Sequence, residues 1–268
     1  MDILKSLLLG IIQGLTEFLP VSSSGHLEIF KVFLDFSYDS TNSLFFTLIV
    51  HLATALSAII YFWKDVKEII MSLIGFKKDE NTFFALYILV SMIPAGLAGY
   101  FFESEINYLF NGNLILVGFM LILTSLILYL SDRFNNSNKK LNLKSSLIIG
   151  FSQALAILPG ISRSGATIGT SIFLGLNRDI AAKFSFLMVV PVIFGSSLKI
   201  ILDNEIEFNN NNISNYLVGF SAALISGYYA CKWMIIFVKK SKLIYFSIYC
   251  LLIGILSIIY SILNGYYS

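Results

Sequence analysis

Two short stretches of this chain gather polar residues inside otherwise apolar sequence. The first reads Gln13-Gly-Leu-Thr-Glu17-Phe-Leu-Pro20-Val-Ser22-Ser23-Ser24-Gly25-His26, the second Pro159-Gly160-Ile-Ser162-Arg163-Ser164-Gly165-Ala166-Thr167. Gln13 and Glu17 are four apart, on one helical face, and in a helix restarting after Pro20, Ser22 and Ser23 share a face with His26. A carboxylate, hydroxyls and an imidazole on one face are the parts of acid–base and nucleophilic chemistry. The second stretch sets one guanidinium among Gly160, Ser162, Ser164 and Thr167. Small residues with accessible backbone amides around a forked Arg make a cradle for phosphate rather than for a sugar or a cation.

The surroundings raise the stakes of both clusters. A charge at membrane depth is disfavoured by about 2.5–3.5 kcal/mol on insertion scales, so Glu17 and Arg163 need partners or a chemical role. A mutual ion pair is one answer. For the serines, capping of a helix break is a purely structural alternative. A carboxylate beside an anion site repels the ligand unless it holds a divalent cation, Mg²⁺ or Ca²⁺, or accepts a proton.

The elements that must position these residues follow from hydropathy. Of 268 residues 57% are hydrophobic and 13% charged, and the mean hydropathy of +0.81 is that of a bilayer protein, not of a soluble domain. Six segments have the length and polar flanks of full spans: about 42–62, 83–102, 113–131, 183–201, 215–237 and 243–263. Two more, about 3–33 and 145–176, are broken in the middle by Pro, Gly and Ser and read as helical hairpins. Gln13 and Glu17 interrupt the first apolar run, so it reads as mature structure rather than a signal peptide.

Lys and Arg concentrate in loops 63–81, 132–144 and 239–242, which are expected to be cytoplasmic. Loops 103–112 and 203–214, with Glu103, Glu105, Asp203, Glu205 and Glu207, are expected outside. The net charge of +2 gives no reason to expect nucleic acid. Cys231 and Cys250 lie in spans, with no disulfide or metal role expected. The 15% aromatic content suits a lipid-facing belt.

Shifted by 140 positions, Gly10, Gln13, Leu15, Ser22, Ser24 and Gly25 fall on Gly150, Gln153, Leu155, Ser162, Ser164 and Gly165. Shifted by 128, Ala95, Gly99 and Tyr100 fall on Ala223, Gly227 and Tyr228. The expected fold is an all-α polytopic membrane protein, one domain over 1–268 with internal repeats at about 1–132 and 144–264. Each half is a re-entrant helical hairpin plus three transmembrane helices, an odd number of crossings that inverts the second half. The broken tips are expected to meet near the midplane, where irregular backbone is tolerated only against protein or a cavity.

Together the two clusters resemble the bacitracin-resistance membrane family of undecaprenyl-diphosphate phosphatases, over nearly the whole chain. That family's signatures are Glu/Gln-x-x-x-Glu followed by Pro-Val-Ser-Ser-x-Gly-His, and Pro-Gly-x-Ser-Arg-Ser-x-x-Thr, here Gln13 to His26 and Pro159 to Thr167. The resemblance implies hydrolysis of undecaprenyl diphosphate to the monophosphate carrier and phosphate, aided by a divalent cation, in a bacterial plasma membrane, for cell-wall polymer synthesis. On this reading Ser23 attacks the distal phosphorus, His26 or Glu17 takes its proton, Arg163 holds the phosphoryl oxygens and Glu17 carries the cation. Gln13, Ser22, Ser24, Gly160, Ser162, Ser164 and Thr167 bind phosphate, with Ser22 and water still open as nucleophiles. The expected partners are the polyprenyl diphosphate and membrane lipids, no nucleic acid, and a homodimer left open.

Four other polar residues are read as follows. His51, isolated in a span, is taken as a hydrogen-bonded structural histidine. Arg178 and Asp179 read as a solvated or interfacial turn. Gln153 is either a substrate contact or a helix contact between repeats. A polyprenyl-phosphate flippase is the rival function, since inverted repeats with broken helices also build transporters. An intramembrane serine protease has no use for Arg163 in its cradle.

Overall fold

Wherever the sequence supplies a long apolar run, a helix spans it. The computed structural model describes residues 3–33, 40–109, 113–134, 139–202, 212–240 and 242–264. They form α1 (Ile3–Phe18), α2 (Ser23–Phe33), α3 (Ser40–Tyr61), α4 (Trp63–Ile74), α5 (Glu80–Phe101), α6 (Glu103–Leu109), α7 (Leu114–Asp132), α8 (Leu143–Leu155), α9 (Arg163–Phe173), α10 (Arg178–Leu202), α11 (Ile213–Lys239) and α12 (Ile244–Asn264). Six of these, α3, α5, α7, α10, α11 and α12, are long and apolar enough to cross a bilayer, at the six places expected from hydropathy. The chain is thus an all-helical, multi-pass membrane protein. The expected outer segment with Asp203, Glu205 and Glu207 lies outside the described residues.

Loop 63–81 is not simply a loop. Trp63, Val66, Ile69, Ile70, Leu73 and Ile74 recur at three- and four-residue spacing, so α4 is amphipathic, and a search for 20 apolar residues in a row passes over it. Its end is tied to the next span by Asp79, which caps α5 by accepting from the Thr82 backbone N–H (3.0 Å) and also accepts from the Ser72 hydroxyl (2.7 Å). Those bonds, the Thr82 amide first, hold the Asp79 carboxyl below the ordinary carboxylate range. Loop 103–112 likewise contains the short helix α6.

The broken helices pack at distances only glycine permits. In α1 against α11, a Cβ on Gly14 would lie 2.0 Å from the Ser226 hydroxyl, and one on Gly10 would lie 2.4 Å from the Gly219 carbonyl oxygen. In α8 against α5, a Cβ on Gly150 would lie 2.4 Å from the Ser91 carbonyl oxygen. The shifts of 140 and 128 that align the halves carry Gly10 onto Gly150 and Ser91 onto Gly219. Without a hydrophobic force between helices in lipid, such close backbone contact supplies the packing energy.

The second hairpin, α8 and α9, ends beside its own start: the Lys139 N–H donates to the Gly175 carbonyl (3.0 Å). At this end of the bundle Asp132 gathers three elements. It pairs with Arg178 at the head of α10 (3.4 Å) and accepts from the backbone N–H groups of Leu243 (3.2 Å) and Ile244 (3.3 Å) leading into α12. Lys183–Asp65 and Lys239–Asp179 (3.2 Å) join the same end, and Lys199–Glu103 joins the other. Arg178, read from the sequence as part of a solvated or interfacial turn, is 4% exposed; its partner Asp132 lies 46 residues away, where no local pattern signals it.

Asp132→Ala leaves that guanidinium buried without its partner and is expected to destabilise the protein by about 3–5 kcal/mol. Thermal unfolding in detergent measures it. An unchanged midpoint would return Arg178 to a solvated turn.

Candidate active site

Both hairpins break by the same local chemistry. Pro20 has no N–H to continue α1, the Val21 N–H turns back to the Leu19 carbonyl (2.8 Å), and Ser22 adopts φ +70°, a left-handed value that costs a non-glycine residue energy. In the second hairpin Pro159 and Gly160, at φ +98°, make the corresponding break. A helix then restarts under a serine cap. The Gly25 N–H donates to Ser22 Oγ (3.2 Å) and the Gly165 N–H to Ser162 Oγ (3.1 Å). Ser22 and Ser24 hydroxyls lie 3.3 Å apart, Ser162 and Ser164 hydroxyls 3.2 Å. Among the serines expected to bind phosphate, Ser22 and Ser162 therefore serve as caps, and Gly160 makes the turn against the Val117 carbonyl of α7.

The tips meet. Ser164 Oγ donates to the Leu19 carbonyl (3.2 Å), and Thr124 of α7 accepts from the Ser162 N–H (3.0 Å) and donates to the Gly160 carbonyl (3.2 Å). Their junction places Glu17 of α1 opposite Arg163 of α9. Glu17 Oε1 accepts from Arg163 Nη2 (2.6 Å), and Oε2 accepts from the Ser23 hydroxyl (2.8 Å) and Gln13 Nε2 (2.9 Å). The Arg163 side chain is fixed again by Nη1 donating to the Ser185 carbonyl of α10 (2.9 Å). Thr167, expected at the phosphate, has its hydroxyl 2.6 Å from Ser185 Oγ and donates it to the Arg163 carbonyl (2.8 Å). Glu17 is 7% exposed and the Arg163 side chain 15%, while Ser23 is half-buried.

Of the two bases the sequence offers for Ser23, this geometry gives its hydroxyl to Glu17. His26 is engaged elsewhere: Nδ1 lies 2.8 Å from the Ser22 carbonyl and Nε2 2.7 Å from the Tyr249 hydroxyl of α12. His51 joins the site, beyond the purely structural role expected of it. Its Nδ1 lies 2.8 Å from the Thr47 carbonyl, and its Nε2 faces Glu17 Oε2 at 3.9 Å. The general rule that ionisable residues inside spans are functional is the signal for it. Ser185 and Tyr249 carry no sequence signal, since neither belongs to a polar cluster or motif. Gln153 is buried with neither amide atom hydrogen-bonded, whereas Gln13 reaches Glu17.

A cation held by the protein alone does not fit this donor set. A hard divalent ion wants several oxygens, yet Glu17 brings a single carboxylate whose Oε1 faces a guanidinium and whose Oε2 accepts two hydrogen bonds. Position 13 is an amide. Among the described residues no group of three or more His, Cys, Asp or Glu side chains is arranged to hold a metal.

The arrangement suits phosphoryl chemistry. A hydroxyl already donating to a carboxylate is a nucleophile beside its base. Of the five guanidinium N–H donors, those beyond the Glu17 and Ser185 bonds are left for an anion arriving next to Ser23.

Comparison with known proteins agrees with this chemistry. A family model described as bacitracin resistance protein BacA matches residues 6–256. The undecaprenyl-diphosphatase of Christiangramia forsetii is 51% identical over 261 residues, covering 97% of this chain and 99% of that protein. That of Bacteroides fragilis is 45% identical over 266 residues, with 97% and 99% covered. A third, from Methanobrevibacter smithii, is 39% identical over 272 residues, with 96% of each covered. With both signatures folded into one site and the match running nearly end to end, this chain belongs to the bacitracin resistance protein BacA family.

Proposed function

We propose that this protein hydrolyses undecaprenyl diphosphate to undecaprenyl phosphate and inorganic phosphate. The observation that carries the reading is Glu17, which joins the Ser23 hydroxyl and the Arg163 guanidinium across the hairpin tips. Relatives named undecaprenyl-diphosphatase over nearly their full length support it. No observation favours the flippase reading.

In this mechanism Ser23 Oγ forms a bond to the distal phosphorus as the bridging P–O bond breaks, and the lipid leaves as its monophosphate. Glu17 Oε2 takes the Ser23 proton, and Arg163 stabilises the charge gathering on the equatorial oxygens, where most of the catalysis of phosphoryl transfer lies. Glu17 passes that proton to the departing monophosphate lipid. Water then attacks the phosphoserine, Glu17 takes a proton from that water, and as the P–Oγ bond breaks Glu17 returns the proton to Ser23 while inorganic phosphate leaves. Glu17, with both carboxylate oxygens engaged, offers too little to hold a divalent cation by itself, so the cation would come with the diphosphate as its counter-ion.

The proposed setting is a bacterial plasma membrane, with the ends at loops 63–81, 132–144 and 239–242 in the cytoplasm by the positive-inside rule. The halves, about 1–132 and 144–264, are proposed as inverted repeats of a single membrane domain. The matched glycine packings of α1 on α11 and α8 on α5 support this.

Phosphate release by the purified protein in detergent tests the function: one phosphate per undecaprenyl diphosphate, with the monophosphate lipid as co-product, is expected. No release with any divalent cation would contradict it. Arg163→Ala is expected to lower kcat by about 10²–10³-fold. Arg163→Lys should not recover it, because a point ammonium cannot serve Glu17, the Ser185 carbonyl and a phosphoryl oxygen together. Ser23→Ala is expected to abolish both turnover and the acid-stable phosphoserine found after rapid quench. Full turnover in that variant would make water the nucleophile.

A further inference from the structure

His26 is 3% exposed, so both ring nitrogens need partners from the protein. The partner of Nδ1 is the Ser22 carbonyl at 2.8 Å, which can only accept, so the ring proton sits on Nδ1. Nε2 of the neutral ring then carries a lone pair, and a buried lone pair without a donor is costly. The Tyr249 hydroxyl, 2.7 Å away, is that donor. The rings also stack, with centroids 5.5 Å apart and planes 10° from parallel. Tyr249 comes from the last helix, 223 residues along the chain from His26.

Resting on the phosphatase reading above, we infer that Tyr249 is a positioning residue of the active site, whose hydroxyl holds His26 in the Nδ1–H form with its ring fixed. The consequence reaches the chemistry through α2. His26 lies in the first turn of that helix, where its backbone N–H also donates to the Ser22 carbonyl (3.1 Å), and Ser23 projects from the same turn. Holding the imidazole at both nitrogens therefore holds the turn that aims Ser23 at Glu17. Residues that act on a reacting group through such contacts matter because small misplacements near the reacting atoms cost large factors in rate. Tyr249 also ties the helix packed on α7 to a hairpin tip, beside the bond from Cys250 Sγ to the Pro20 carbonyl (3.5 Å).

The chain has two histidines, so full-length protein labelled with [¹⁵N]histidine in detergent gives two imidazole spectra, and a His51→Gln sample assigns them. The expected wild-type result is His26 protonated at Nδ1 with Nε2 unprotonated and hydrogen-bonded. Tyr249→Phe is expected to keep the ring stack and a cooperative unfolding transition, with the midpoint lowered by the cost of one unsatisfied buried acceptor. It should move the Nε2 signal to that of a nitrogen without a donor, and lower kcat about tenfold with KM little changed, the scale of one lost hydrogen bond. An unchanged His26 spectrum, a wild-type proton on Nε2, or an unchanged kcat would each overturn the inference. A wild type that releases no phosphate but gives the expected spectra would overturn the phosphatase reading while leaving the Tyr249–His26 contact in place.

Discussion

The 2.6 Å bond between Glu17 and Arg163 is the constraint on which the rest of the structure depends. Each charge alone would resist burial inside a membrane domain, and together they neutralise one another only if two broken helices, 146 residues apart in sequence, bring their tips into register. Breaking either helix frees backbone groups that lipid cannot satisfy. The serine caps, the Thr124 hydroxyl bridging Gly160 and Ser162 of the second tip and the tip-to-tip bond from Ser164 to Leu19 satisfy those groups locally. Polar chemistry inside this apolar bundle is thus made stable by the same residues that end the helices.

The remaining architecture keeps those tips in place. Glycine contacts of α1 on α11 and of α8 on α5 set each hairpin against a span from the other half, and α7 and α12 meet where a Cβ on Gly118 or Gly254 would lie 2.7 Å from the other's carbonyl oxygen. At one end, Asp132 clamps the heads of α10 and α12 to the tail of α7. α10 in turn offers Ser185 to Arg163, so the clamp lies on a continuous path of packed helices leading to the guanidinium.

How much of this is legible in the sequence follows from the range over which each signal acts. The six spans can be read because bilayer thickness sets a length that hydropathy reports directly. The hairpin breaks can be read because Pro20, Pro159 and Gly160 act on their own backbone. α4 escapes because its apolar residues form a stripe rather than a run. Arg178 looks solvated because Asp132 is remote in sequence, and the same remoteness hides Ser185 and Tyr249. Ser22 and Ser162 illustrate a different difficulty: a serine at a helix break has the right chemistry for both a cap and a phosphate ligand, and only the fold reveals the hydroxyl bonded to the amide three residues on. His51 obeys a rule stated for every intramembrane charge, yet no neighbouring motif ties it to the site.

If Glu17 and Arg163 work as one unit, removing the second after the first should cost little. The most direct measurement is a double-mutant cycle on Glu17→Gln and Arg163→Ala, with kcat for phosphate release from undecaprenyl diphosphate as the readout. The account predicts a double variant about as slow as the slower single variant. Losses that multiply would contradict it, leaving two residues that act independently and a tip-to-tip ion pair without a part in the chemistry.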